Sequence, residues 1–94
     1  MIELVWSSGF GRNLKPLVRQ SPNLKIQVLQ TLDQLQEDVF HPSLRTHKMK
    51  GDLSDRYARS VNYSDRIVFK FAENSESGDQ EILLLAVGSH DEVH

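Results

Sequence analysis

RIVFKFAENSESGDQEILLLAV, residues 66–87, is the stretch whose reading decides how this chain folds. Ile67, Phe69 and Phe71 alternate with Arg66, Val68 and Lys70, the period-two pattern of a strand with one face on a core. Asn74-Ser75-Glu76-Ser77-Gly78-Asp79 is a polar run of turn-forming residues. The chain then returns as a strand over 81–87. Its unbroken apolar run, Ile82-Leu83-Leu84-Leu85-Ala86-Val87, predicts a central position covered on both faces. Gly88 is expected to break this strand and leave Ser89-His90-Asp91-Glu92-Val93-His94 beyond it.

Upstream, Tyr57, Arg59, Val61 and Tyr63 alternate with Ala58, Ser60 and Asn62, which predicts a further strand turned by Ser64-Asp65. Residues 42–55 read as a polar, basic connector containing Gly51. Before it, Leu24, Val28, Leu32, Leu35 and Val39 recur at spacings of four, four, three and four, one stripe of an amphipathic helix. Gln27, Gln30, Gln34 and Glu37 fall largely off that stripe. Ser21-Pro22 starts this helix and His41-Pro42 ends it. A shorter helix is expected over about 8–19, capped by Ser7 or Ser8, with Pro16 forcing a kink or a late start. Residues 2–6 read as a strand with Ile2, Leu4 and Trp6 on one face. The expected fold class is α+β, in the order β-α-α-β-β-β. Two N-terminal helices pack on a small, mostly antiparallel sheet in a single domain spanning 1–94.

Composition narrows the function classes. Charged residues make up 26% and apolar residues 38%, the balance of an ordered globular domain. There is no cysteine, which excludes a disulfide framework and a thiolate metal site. No apolar run is long enough to cross a bilayer as a helix, and the start, MIELVW, lacks the pattern of a secretory leader. A cytoplasmic protein with no membrane partner is expected. The net charge of −2 hides a segregation: residues 1–44 are neutral, 45–70 carry +4 and 71–94 carry −6. A basic middle suits either a polyanion or an acidic protein as partner, or simply a solvated face.

Four histidines are the candidate titratable groups: His41, His47, His90 and His94. His90 and His94 have an i, i+4 spacing that chelates zinc on a helix, but no H-E-x-x-H pattern accompanies them and the local sequence reads as strand then tail. No metal or other cofactor is therefore expected. Ser89, His90 and Asp91 do not make a hydrolase triad, because neighbouring strand residues point to opposite sides. Gly9-Phe10-Gly11 lacks the third glycine of a dinucleotide-binding turn. What remains is a set of cations and imidazoles: Arg59 and Arg66 on neighbouring strands, Lys48 and Lys50 in the connector, His90 and His94 at the end. If these meet on one sheet face they suit cleavage of RNA, with arginine gripping a phosphate and histidine moving protons.

Two stretches, LRTHKMKGDLSDRYARSVNYSDRIVFKF (44–71) and ILLLAVGSHDEVH (82–94), resemble the RelE/ParE superfamily of small toxins from toxin–antitoxin modules. The shared features are a Leu-x-x-His-x-Met-x-Gly connector, an arginine-bearing step before a D-R-I-V-F strand and a closing G-S-H-D-E-V. The resemblance implies a ribosome-dependent, metal-independent mRNA endoribonuclease held in check by a cognate antitoxin. It implies catalytic roles for His47, Asp65, His90 and His94, with Arg66 on the scissile phosphate and Lys48, Lys50 and Arg59 holding RNA. In the YafQ-like branch a further histidine stands where this chain has Ser60-Val61, and His94 takes a position usually aromatic or proton-donating. The alternative is a non-enzymatic protein of the same fold, a ParE-like inhibitor of DNA gyrase or an inactive antitoxin binder.

Overall fold

The computed structural model describes residues 2–37 and 55–89, together with the backbone of His47–Lys48. The expectations for His41, Lys50, His90 and His94, and for the end of the second helix, lie outside these residues. Strand β1 (Glu3–Trp6) leads into helices α1 (Ser8–Gln20) and α2 (Pro22–Glu37). A two-residue strand β2 (His47–Lys48) follows, then β3 (Tyr57–Ser60), β4 (Asp65–Glu73) and β5 (Gln80–Ser89). Among the described residues the sheet order is β1-β5-β4-β3-β2. β1 runs parallel to β5 and every other pair is antiparallel. The α+β expectation holds, with β2 added inside the segment read as connector.

The core lies between the helices and one sheet face. Phe10 of α1 and Leu24, Val28, Leu32 and Leu35 of α2 meet Ile67, Phe69, Ile82, Leu84 and Val87. The amphipathic stripe of α2 is thus the buried stripe, as its spacing dictates. The opposite sheet face carries a smaller cluster of Ala58 and Val68 flanked by Leu85 and Ala86, with no helical residue in it. β5 is central, paired on both sides. Its coverage differs from expectation, because Leu83, Leu85 and Ala86 are only half-buried.

A bulge explains how an unbroken apolar run fits a sheet with one helix-covered face. Val68 pairs with Ala86 and Phe69 with Leu84, so Leu85 has no partner on β4. One extra residue shifts the alternation by one, keeping both Leu84 and Val87 in the core. The first turn of α1 covers the spot. Ser7 caps that helix by accepting from Phe10 N at 3.1 Å, and its own hydroxyl donates to the Leu85 carbonyl at 3.3 Å. Gly9 suits this close approach, since a Cβ would sit 3.2 Å from the same carbonyl oxygen and force it to shift. With this cap α1 starts at Ser8 and continues through Pro16; the late start expected from proline does not occur.

Two further boundaries differ. β5 continues through Gly88 to Ser89, because β4 supplies partners to the end: Arg66 opposite Gly88 and Asp65 opposite Ser89. β3 ends at Ser60, so Val61, Asn62 and Tyr63 belong to the turn rather than the strand.

Candidate functional site

Strand register sorts the expected site residues onto two faces. Arg59 pairs with Ile67 and Ser60 with Arg66, and side chains of paired residues share a face while neighbours alternate. Ile67 is fully buried in the helix-covered core. Arg59 and Asp65 therefore lie on the helix side, and Arg66 lies on the open side in the row Ser60–Arg66–Gly88. The expectation that Arg59 and Arg66 meet on one face is corrected by this register.

Arg59 is 4% exposed. Its Nη2 donates to Gln34 Oε1 at 2.6 Å, while Nε and Nη1 have no hydrogen-bond partner among the described residues. Loss of water around the guanidinium pushes its pKa down from the usual value. So placed, Arg59 ties β3 to α2 and is not displayed to a ligand on the open face.

Backbone register places the other candidates in β2 on different faces, His47 in the open-face row of Ala58 and Val68 and Lys48 in the helix-side row of Tyr57 and Phe69. In register, His47 stands opposite Ala58 and Lys48 opposite Tyr57. Ala58 and Ser60 are two positions apart on β3, so His47 stands one row along from the Arg66 row. Gly88, the β5 partner of Arg66, is itself buried. Ser89 closes β5 opposite Asp65, and His90 is one peptide bond beyond it. One corner of the open face thus gathers the backbone positions of His47, Arg66 and the end of β5.

The turn feeding this corner is tightly fixed. Asn62 Oδ1 accepts from Ser64 N at 2.9 Å, Asp65 N at 2.8 Å and Ser64 Oγ at 3.2 Å. Asn62 Nδ2 donates to Gln27 Oε1 on α2 at 2.9 Å. Val61 N also donates to the Asp65 carbonyl at 2.9 Å. Asparagine closes its own backbone into such turns, which is why the strand expected through Tyr63 stops early. The sequence signal was the Asn-x-Ser-Asp spacing. That Gln27 and Gln34, off the apolar stripe, anchor this end of β3 was not readable from the pattern.

Replacing Asn62 by alanine is expected to lower stability by about 1–3 kcal/mol, since several partners lose their bonds at once. Asn62→Asp keeps the acceptor for Ser64 and Asp65 but loses the donor to Gln27, so a smaller loss is expected. Urea unfolding, with hydrogen exchange at the Ser64 and Asp65 amides, checks both.

Elsewhere, a cleft of about 460 Å³ opens at the far end of the β4–β5 hairpin, lined in part by Glu3, Asp79 and Glu81. Its carboxylates suit no phosphate, and it is remote from the arginine corner. Among the described residues no group of three His, Asp or Glu side chains converges as a metal site.

Neither a protein-family model nor a curated protein sequence matches the chain. Solved structures do. The YoeB/ParE toxin from Agrobacterium tumefaciens superposes with a TM-score of 0.77 at 15% identity, over 95% of this chain and 99% of that one. The Escherichia coli DinJ-YafQ toxin–antitoxin complex gives a TM-score of 0.75 at 13% identity, over 98% and 96%. A metal-bound toxin from Helicobacter pylori gives 0.69 at 24% identity, over 100% of both chains. Element order, sheet topology and these superpositions agree: this chain has the α+β fold of the RelE/ParE toxins.

Proposed function

We propose that the protein is the toxin of a toxin–antitoxin module and acts as a ribosome-dependent mRNA endoribonuclease in the cytoplasm. The observation that carries this reading is the β3–β4–β5 register, which puts Arg66 beside Gly88 on the open face, next to the His47 row and the chain leading into His90. The likeness to YoeB and YafQ toxins supports the toxin role, and the DinJ-YafQ complex supports an antitoxin as partner.

In this reading Arg66 holds the scissile phosphate, a guanidinium matching two phosphate oxygens at once. Lys48 on the edge strand β2, and Lys50 two residues further along the sequence, are proposed to hold flanking phosphates as point charges. A histidine takes the proton of the 2′-hydroxyl, and the 2′ oxygen attacks phosphorus. The bond to the 5′ oxygen breaks, and a second group protonates that leaving oxygen. The product ends are a 2′,3′-cyclic phosphate and a free 5′-hydroxyl. Positive charge at Arg66 stabilises the crowded phosphorane anion, so the scheme needs no metal. His90 and His47 are the proposed proton carriers and His94 the further donor. Asp65, on the other face at the strand end, is proposed to support this corner through Ser64 and the turn.

The test is incubation of the unaltered protein with translating ribosomes, followed by mapping of mRNA ends. Cuts at fixed positions within codons, ending in cyclic phosphate, are expected. Full-length mRNA after stoichiometric exposure rejects the reading. The alternative, gyrase inhibition, is favoured by the likeness to a YoeB/ParE toxin. Loss of DNA supercoiling by gyrase, undiminished in His90→Ala, would establish that reading instead.

A further inference from the structure

Tyr63 is 107% exposed, whereas the other exposed large apolar side chains, Trp6, Ile26 and Leu29, are 45–56% exposed. No other part of the described chain turns an aromatic ring so completely to water. A single exposed aromatic on a protein surface is ordinary and by itself points to nothing. Here the ring stands on a turn held from both sides. Asn62 closes the backbone beneath it with bonds to Ser64 and Asp65, and ties it to Gln27 of α2. Ser64 Oγ adds a bond to Asp65 Oδ2 at 3.4 Å. The backbone order that a loop normally loses entropy to acquire on binding is already present, and only two side-chain torsions remain to be fixed.

Position gives the ligand class. Tyr63 precedes Arg66 by three residues and projects from the same end of the sheet at which β5 finishes. A single-stranded nucleic acid held through a phosphate at Arg66 has unpaired bases, and proteins that bind such strands place aromatic rings where those bases can stack. The flat face of tyrosine accepts any base, and its hydroxyl adds a hydrogen-bonding edge. The acidic end of the hairpin, with Glu73, Glu76, Asp79 and Glu81, lies at the opposite end of β4 and β5 and repels the strand from that side.

We propose that Tyr63 is a stacking platform for one unpaired nucleobase, presented by the Asn62-braced turn to an RNA strand whose phosphate lies at Arg66. This rests on the ribonuclease reading above and specifies where its substrate is gripped.

The experiment uses a short single-stranded RNA with 2′-O-methyl sugars, which lacks the attacking hydroxyl and cannot be cut. Titrated into the labelled full chain, it is expected to move the Tyr63 ring protons upfield through the ring current of the stacked base. Tyr63→Ala is expected to weaken binding roughly ten-fold, Tyr63→Leu similarly, and Tyr63→Phe little. Because the ring is outside the core, far-UV spectra and urea midpoints should match the unaltered protein. Unmoved ring signals up to millimolar RNA, or equal binding by the alanine and phenylalanine variants, overturn the proposal. The two readings fail separately. If the protein cuts mRNA yet Tyr63→Ala cuts with an unchanged KM and the ring stays unmoved, stacking is wrong and the nuclease stands. If it cuts nothing but the ring signals move with RNA, the platform stands and the nuclease falls.

Discussion

Replacing His90 by alanine is expected to slow mRNA cleavage by about 10²–10⁴-fold, the range for removing a general acid or base. The loss should fall on kcat, because in the proposed mechanism the imidazole moves a proton in the transition state and does not bind ground-state RNA. It should also remove one limb of the pH–rate profile, a change that a merely structural histidine would not produce. His90 follows Ser89 in sequence, and Ser89 closes β5 opposite Asp65, the neighbour of Arg66 on β4. His90→Gln retains size and hydrogen bonding but cannot carry a proton, and is expected to be as slow as the alanine variant. Cleavage at the unaltered rate by a folded His90→Ala protein would remove this residue from the mechanism.

Phe69→Ala is expected to lower stability by about 3–5 kcal/mol, the range for emptying the site of a buried aromatic ring. Phe69 is fully buried and stands opposite both Tyr57 on β3 and Leu84 on β5. Its ring stacks on Tyr57 at 5.8 Å and meets Phe71 edge-on at 6.0 Å. It also sits at the register shift, so the space left by its ring borders the bulge at Leu85. A domain of this size has only about 5–15 kcal/mol in total, so the variant should be partly unfolded at body temperature. Phe69→Leu, which restores most of the volume, should lose less. Urea unfolding with an unchanged slope measures both. A loss below 1 kcal/mol for Phe69→Ala would mean that β4 is not the spine of the core.

Much of the fold was legible because its signals are local. Spacing along one helix puts Leu24, Val28, Leu32 and Leu35 on one face whatever they pack against, and alternation of Ile67, Phe69 and Phe71 marks a strand with one buried face. The candidate site was legible only as a set of residue types. Arg59 and Arg66 looked equivalent in sequence, yet one is buried against Gln34 and the other lies on the open face.

The sequence by itself determined the order of every element but β2, the buried stripe of α2, the polar hairpin turn and the gathering of cations into the middle of the chain. Only the tertiary structure decided which cations share a face. That depends on parity: a turn that begins at Val61 instead of Ser64, and one bulged residue at Leu85, each reverse the side to which every later residue points. Parity is fixed by pairing between strands distant in sequence and by side chains such as Ser7 and Asn62 that hold the bulge and the turn. Periodicity within one segment carries no record of either.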